Sequence, residues 1–424
     1  MSADPIELLL AGRYPDPETG ELHTAASRAV VIESSLAGHE ADLIAALGTW
    51  TTVAVVSDQT THAVLGERIE RALARYTVQS IVLDHPHADD VDAVKLQAAF
   101  APGTDLVVAV GSGTINDLAK LAASRHGCAY AVFATAPSMN GYCSVSASIT
   151  SNGIKTSYRA RTPLGVYFDL SIVAAAPFRL IRAGLGDSAC RPTAQADWLL
   201  SHLLLDTPYR EVPYALLAAD ERLLFANTPA LLAGDHETVR SLVRILVLSG
   251  FGMTICNGSY PASQGEHLIS HYLDMMRPVA LTPAFHGEQI AVCTATMSAI
   301  QERILDRDRA PRLVPSTRDR AALIEHFGPV VGESCWPEFA PKCFAADQLA
   351  ALNARLATGW DAIRTRIAAV HVRAATMRSL LAAAGAPVSP ADLGWPIELY
   401  DNAVAHAREI RNRYTFLDLA VDAE

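Results

Sequence analysis

The chain has 424 residues, half of them hydrophobic and 19% charged, with a formal net charge of −11. This length predicts two domains, or three if one is small, and the apolar content excludes a disordered protein. The acidic balance, with no run of more than two basic residues, argues against a nucleic-acid or membrane-surface partner. Small phosphorylated molecules remain possible partners, because one local site can bind them whatever the overall charge.

The cysteines and the N-terminal residues indicate in which cellular compartment the protein is expected. The seven cysteines are scattered without CxxC spacing, which is typical of reduced thiols in a cytosolic protein. The first twenty residues carry acidic side chains where a signal peptide needs basic ones, and no uninterrupted run of 18 apolar residues occurs. We therefore expect a soluble cytoplasmic enzyme.

In chain order, short apolar strands first alternate with helices. Strands are predicted at residues 28–34, 52–57, 78–83, 105–110 and 129–134, with helical segments at 40–47, from 59 to about 76, and after residue 112. This alternation is typical of a parallel sheet covered by helices. From about residue 177 the pattern is almost all helical, with helices predicted at 179–204, 216–232, 237–249, 286–303, 345–386 and 397–411. We expect an α/β N-terminal domain over residues 1–177 and an all-α C-terminal domain over residues 178–424.

A glycine-containing turn, Gly111-Ser-Gly-Thr114, follows a buried-looking strand and opens a helix. Glycines there would let backbone N–H groups approach a pyrophosphate, and the helix N-terminus would add positive potential. The full GxGxxG fingerprint is absent, so by itself the turn is weak evidence, and a plain strand-to-helix connection is the favoured interpretation. Asp58, just past the second predicted strand, could bind a ribose hydroxyl or simply cap the next helix.

Four potential metal ligands lie in the helical half and at its border. His267 and His271 are one helical turn apart, and His286 opens another apolar helix nineteen residues after His267. Asp187 lies in the segment GLGDSA, among small neighbours. An Asp/His/His set with open positions suits a catalytic divalent metal, although any one of these histidines could be an ordinary core or surface residue.

Two further features are polar. The loop of residues 135–144 lies at the carboxyl end of a strand, where open α/β sheets bind ligands. Lys155 behind it could hold a phosphate or a carboxylate, although a solvated surface lysine is the favoured interpretation. Arg408, Arg411 and Arg413 form the densest basic cluster, for which a solvated helix face is the favoured interpretation. No GxSxG elbow and no Walker pattern occurs.

Taken in order, the segments VAVGSGTINDLAK, TAPSMNGYCS, GLGDSA, SYPASQGEHLISHYLDM, HGEQIAV and IRNRYTFLDLA resemble the superfamily of iron-containing alcohol dehydrogenase, glycerol dehydrogenase and dehydroquinate synthase. Within it they are most similar to the sn-glycerol-1-phosphate dehydrogenase family, over roughly residues 28–420. The resemblance implies a Rossmann-like NAD(P)-binding domain, a helical metal- and substrate-binding domain, and a small phosphorylated substrate in phospholipid metabolism. The large apolar helical domain leads us to expect a homodimer.

The same resemblance implies roles for individual residues. It makes Asp187, His267 and His286 the ligands of one divalent metal, zinc, nickel or iron, and places His271 beside the nicotinamide or substrate. NAD or NADP would contact nine positions, namely Asp58, Gly111, Ser112, Gly113, Thr114, Asp117, Thr135, Ser138 and Ser144. The family loop normally reads S-x-D-G, but Asn140 stands here in place of the aspartate. An amide keeps hydrogen bonding but loses the negative charge and any base function.

The implied reaction is metal-dependent reduction of dihydroxyacetone phosphate to sn-glycerol 1-phosphate. His271 would relay a proton, Asn140 would contact the substrate, and Lys155 is the candidate for neutralising the phosphate. The alternative is a sugar-phosphate cyclase of the dehydroquinate synthase type, a lyase that uses NAD transiently. Against it, the cyclases carry Glu where Asp187 stands and a lysine closer behind the loop acid.

Overall fold

The computed structural model describes residues 4–151 and 154–424. The strands are β1 Tyr14–Pro15, β2 Leu22–His23, β3 Ala29–Glu33, β4 Thr52–Asp58, β5 Thr77–Leu83, β6 Leu106–Gly111, β7 Ala129–Ala134, β8 Ser146–Ser151, β9 Ile154–Arg159 and β10 Gly165–Asp169. The helices of the first half are α1 Pro5–Leu10, α2 Glu40–Ala45, α3 Gln59–Thr61, α4 Glu67–Ala72, α5 Asp90–Ala99, α6 Gly113–His126, α7 Leu170–Val173 and α8 Phe178–Ala189. Those of the second half are α9 Arg191–Leu205, α10 Val212–Ala226, α11 Thr228–Leu232, α12 His236–Ile255, α13 Gly265–Met276, α14 His286–Leu305, α15 Arg320–Phe327, α16 Pro329–Phe339, α17 Ala346–Ala368, α18 Ala374–Ala383, α19 Ile397–His406 and α20 Phe416–Asp422.

Six parallel strands form the main sheet in the order β3-β10-β7-β6-β4-β5. Its central strands β6 and β7 are apolar and buried except at Ala129, the first residue of β7, as expected of parallel strands covered on both faces. All five predicted strands are present, which confirms the α/β class. The sheet also contains β10, and a separate antiparallel hairpin pairs β8 with β9. The hairpin escaped prediction because its strands, SASITS and IKTSYR, are mostly polar, and in the first of them only Ala147 and Ile149 form the buried face.

The chain packs as two compact units. The first contains the main sheet, with residues up to Ser188 and Glu211–Gly258, and the second contains Ala189–Arg210 and Ser259–Glu424. Helices α10–α12 thus group with the sheet, whereas the boundary expected at residue 177 places them with the later helices. Arg244 on α12 binds Asp4 before α1 and Asp220 on α10, each at 2.8 Å. The hydrophobic periodicity of a sequence identifies a helix but does not show which hydrophobic core that helix joins. The cofactor-binding and metal-binding roles expected of residues 1–177 and 178–424 stay predictions.

One helix of the first unit, α12, has the length and hydropathy of a membrane span. Its most apolar 18-residue window is 67% buried, and the helix packs against α10. Such burial is also found in core helices of globular domains.

The second unit is helical around an apolar core that includes Leu268, Val292 and Phe416. Buried ion pairs fasten its C-terminal segment, where Lys342 binds Asp418 at 2.9 Å and Arg408 binds Asp422 at 2.6 Å. The prediction of a solvated basic face is therefore wrong for Arg408, which is 1% exposed. Carboxylates several residues further along the chain compensate its charge, a pairing that helical spacing alone does not reveal.

Candidate active site

The expected cofactor-binding positions of the first unit gather at one edge of the sheet. Asp58, Gly111 and Thr135 stand at or just past the carboxyl ends of β4, β6 and β7, which are neighbours in the sheet. The chain leaves β4 for the edge strand β5 and returns to β6 on the other side of β4, so ligand-binding crevices are expected at this point. The Thr135 N–H donates to the Gly111 carbonyl at 3.1 Å, joining the two loops.

The glycine turn has the features of an anion-binding helix start. A Cβ on Gly111 would lie 2.6 Å from Cβ of Ile115, so only glycine allows the first turn of α6 to approach this closely. Ser112 occupies the N-cap position of α6 without a side-chain capping bond. The first N–H groups of a 14-residue helix are thus not capped by that side chain, which is compatible with a phosphate there.

Asp58 acts as a helix cap. Its Oδ1 accepts the Thr61 N–H at 2.8 Å, and the Thr61 hydroxyl accepts the Asp58 N–H at 3.0 Å. One of the two interpretations offered by the sequence is therefore observed. The ribose contact stays a prediction, since capping uses a single oxygen of the carboxylate.

Sequence reasoning missed Lys120, which organises the loop after β7. This lysine is fully buried on α6, and its Nζ donates to the carbonyls of Gly141 at 2.7 Å and Ser146 at 3.2 Å. The Ser144 hydroxyl donates to the Ser146 carbonyl at 2.9 Å in the same network. A single cation within the apolar run LAKLAA was the available signal, because a lysine there must find partners when the helix is buried.

Asp117 and Lys155 lie in the same region. Asp117 accepts the Ser148 N–H at 3.1 Å and the Asn116 side-chain amide at 2.9 Å, so it joins α6 to the β8–β9 hairpin. Burial raises the pKa of Asp117, and the charges of Lys120 and Lys155 oppose that rise. The structure thus places Lys155, on β9, within electrostatic range of Asp117, whereas its contact with a substrate phosphate stays a prediction.

The remaining loop positions are held mainly by local bonds. The Tyr142 hydroxyl donates to the Ala136 carbonyl at 2.6 Å. The Asn140 N–H donates to Oδ2 of Asp187 at 2.7 Å, linking the loop to α8. Asp187 is 1% exposed. The substrate and metal roles of Asn140 and Asp187 stay predictions.

The second unit brings the three predicted histidines together. His267 and His271 lie one turn apart on α13, with ring centroids 5.9 Å apart. His286, the first residue of α14, lies 5.1 Å from the His267 ring and 6.2 Å from the His271 ring. Clustered imidazoles on two packed helices are suitable donors for zinc, iron or nickel, so the residues present fit a metal.

Side-chain hydrogen bonds fix the two histidine-bearing helices. The Ser270 hydroxyl on α13 donates to Oε1 of Gln289 on α14 at 3.0 Å, and the Gln289 amide donates to Asp274 on α13 at 2.9 Å. The Glu288 carboxylate accepts the Phe285 N–H at 3.0 Å and caps the start of α14. These bonds hold His286 in register with α13.

Two buried carboxylates lie behind His267. Oε1 of Glu266 is 2.9 Å from Nδ1 of His267, and Glu266 is fully buried. Asp197 on α9 accepts the N–H groups of Gly265 and Phe416, both at 2.9 Å, and so ties α9, α13 and α20 together. Burial, with the nearby charge of Glu266, raises the pKa of Asp197 to about 8. Sequence reasoning missed both residues, although Glu266 directly precedes the first predicted histidine ligand.

Parts of this sequence are similar to known proteins. Residues 31–177 match the family model for iron-containing alcohol dehydrogenase. Glycerol-1-phosphate dehydrogenase of Pyrococcus furiosus is 33% identical over 273 residues, which are 64% of this chain and 78% of that protein. The enzyme of that name from Bacillus velezensis is 27% identical over 378 residues, 87% of this chain and 85% of the relative.

Solved structures show the same fold. Glycerol dehydrogenase from Schizosaccharomyces pombe superposes with a TM-score of 0.62 at 15% identity, covering 93% of this chain and 88% of that one. Sulfoacetaldehyde reductase from Bifidobacterium kashiwanohense, solved with NAD+, gives a TM-score of 0.60 at 15% identity over 92% and 95% of the two chains.

Proposed function

Because this chain belongs to the glycerol-1-phosphate dehydrogenase family, we propose that it reduces dihydroxyacetone phosphate to sn-glycerol 1-phosphate with NADH or NADPH. The observation that carries the proposal is the joint presence of relatives with this name, above 30% identity over more than two thirds of their length, and the cluster of three histidine rings. The reaction consumes one ketone, one hydride and one proton, and releases an alcohol and the oxidised nicotinamide.

Different residues of the chain would bind the metal, bind the dinucleotide and transfer the proton. His267 and His286, with Asp187, would hold a divalent cation, which supplies Lewis acidity at the ketone oxygen when bound. The N–H groups at the start of α6 would bind the pyrophosphate of the dinucleotide. His271 would deliver the proton that the new alkoxide requires, since imidazole exchanges protons near neutral pH.

Asn140 and Lys155 would act on the substrate. The Asn140 amide can donate a hydrogen bond to a hydroxyl or carbonyl oxygen but cannot remove a proton. The ammonium group of Lys155 would offset part of the phosphate charge. Lys155 acts electrostatically on buried Asp117, which is hydrogen-bonded to Ser148 of the β8–β9 hairpin. This effect supports a position of Lys155 near the other candidate residues of the first unit.

A cyclase of the dehydroquinate synthase type is not favoured. Relatives that match this chain at 27–33% identity are named as glycerol-1-phosphate dehydrogenases. Asp187 also stands where the cyclases carry Glu.

The test follows nicotinamide absorbance with dihydroxyacetone phosphate, either reduced cofactor, and added Zn²⁺, Ni²⁺ or Fe²⁺, against a chelated control. We expect metal-dependent oxidation of the cofactor that His267→Ala abolishes. His236→Ala removes an exposed histidine at the first position of α12, outside the proposed site, and is the matched control that should retain activity. Binding of metal and nucleotide without turnover would refute the substrate assignment.

The finer properties are part of the same proposal. The metal is zinc, nickel or iron, because imidazole and carboxylate donors accept all three. We propose that the enzyme works as a cytoplasmic homodimer on a small-molecule substrate. The scattered cysteines support the cytoplasmic location, and the acidic net charge supports a small-molecule substrate over a nucleic acid. Sedimentation equilibrium and metal analysis of the purified protein test these statements.

A further inference from the structure

Glu266 is a completely buried carboxylate next to a proposed metal ligand. Its Oε1 lies 2.9 Å from Nδ1 of His267 and accepts the Gln264 N–H at 2.8 Å. Its Oε2 accepts the Thr193 hydroxyl at 3.4 Å. The side chain is thus fixed from three directions, one of which is the imidazole itself.

This contact selects one form of the His267 ring. A carboxylate accepts hydrogen bonds only, so the ring nitrogen facing it carries the proton. Protonation of Nδ1 in a neutral imidazole leaves the lone pair on Nε2, which is the nitrogen then able to ligate a metal. A carboxylate behind the ring also increases the basicity of the ligating nitrogen.

We propose that Glu266 is a positioning residue of the metal centre, holding His267 with Nδ1 protonated and Nε2 directed to the cation. The inference rests on the proposed function, because it requires His267 to be a metal ligand. It assigns Glu266 a place outside the ligand set, although its carboxylate lies close enough to be taken for a ligand.

Neighbouring groups support this placement. Ligand atoms of Cys190, Glu266 and His267 lie within 4.8 Å of one another, which by distance alone would permit direct coordination by all three. The Cys190 thiol, however, donates to the Ala262 carbonyl at 3.6 Å, and Oε1 of Glu266 already accepts from Gln264 and faces His267. A cation between the three would have to displace these bonds, whereas a cation on the Nε2 side leaves them intact.

The second unit contains a matched pair for comparison. Glu409 is 1% exposed, and its Oε1 lies 3.0 Å from Nδ1 of His406. It also binds Arg318 at 2.9 Å. Neither Glu409 nor His406 belongs to the proposed ligand set, so Glu409→Gln tests what loss of a buried histidine-bound carboxylate does in general.

The experiment measures the dissociation constants of Zn²⁺ and Co²⁺ by competition with a chelator, together with the visible spectrum of the Co²⁺ protein. The proteins are the wild type, His267→Ala, Glu266→Gln, Glu266→Ala and Glu409→Gln. We expect Glu266→Ala to weaken metal binding roughly 10–100-fold, the usual effect of losing an outer-shell partner. Glu266→Gln should weaken it less, because the amide oxygen still accepts from Nδ1, and should shift the Co²⁺ bands.

Thermal unfolding of the metal-free proteins separates positioning from a structural role. Glu266→Gln removes a charge beside Asp197, so the metal-free variant should unfold no earlier than the wild type, while Glu409→Gln should unfold earlier yet bind metal normally. Unchanged metal affinity and Co²⁺ spectrum in Glu266→Gln, with binding lost in His267→Ala, would overturn this inference alone. Absence of metal binding by the wild type would overturn both the inference and the proposed metal centre. Glu266→Gln keeps the test open if Glu266→Ala fails to fold.

Discussion

Gly184 is a position where one methyl group should separate two elements of the candidate site. It lies on α8, three residues before Asp187, and a Cβ there would overlap the carbonyl oxygen of Pro137 and lie 2.8 Å from its carbonyl carbon. Pro137 belongs to the loop whose Asn140 N–H donates to Asp187. Gly184→Ala therefore has to move the loop away from α8, because backbone atoms cannot yield as a flexible side chain does.

The magnitude follows from three contributions. Alanine gains about 1 kcal/mol over glycine in a helix interior. Overpacking costs about 1–3 kcal/mol, and loss of the hydrogen bond to the Asp187 carboxylate costs about 1.5–3 kcal/mol. The net destabilisation is then about 1.5–5 kcal/mol, with a larger loss of activity because the loop carries Asn140.

The assay compares urea unfolding and dehydrogenase activity with those of Gly359→Ala. Gly359 lies inside α17, where an added Cβ meets only Cδ1 of Ile363 at 3.8 Å, so the same substitution should stabilise the protein by up to about 1 kcal/mol. Gly184→Ala with wild-type stability and kcat/KM would refute the reasoning, since the close approach to the loop would then have no consequence.

Three further predictions concern other regions. Lys342→Met leaves the buried Asp418 carboxylate without its partner at 2.9 Å and should lower the free energy of unfolding by about 3–5 kcal/mol in urea titrations at neutral pH; a loss below 1 kcal/mol would contradict it. Burial tends to raise the pKa of Asp169, but hydrogen bonds, including that of Arg68 at 2.7 Å, keep this pKa below its usual value. The stabilisation that Asp169 provides is therefore complete above the usual aspartate pKa and is lost as the pH falls through the lower folded-state pKa. Asp169→Asn should therefore lower stability at pH 7 and flatten its decline on acidification, and an unchanged pH profile would count against this account. Cys190→Ser should leave the Co²⁺ spectrum without change, because the thiol donates to a carbonyl; loss of a thiolate–cobalt absorption in the variant would show instead that Cys190 is a ligand.

Local sequence patterns determined the elements that carry the site. Apolar runs flanked by turn residues specified the central strands β4, β6 and β7, because a strand buried on both faces needs a continuous apolar sequence. The glycine turn marked the start of α6, and the four-residue spacing of His267 and His271 put both rings on one side of α13. These features depend on residues close in the chain.

Tertiary packing decided what those elements contact. The histidine spacing did not determine that His286 would lie 5.1 Å from His267, which depends on how α14 packs against α13. The burial of Lys120 and Arg408 was likewise decided by loop carbonyls and by carboxylates elsewhere in the fold. A charged residue joins the interior only when partners distant in sequence compensate its desolvation, and a linear pattern does not specify those partners.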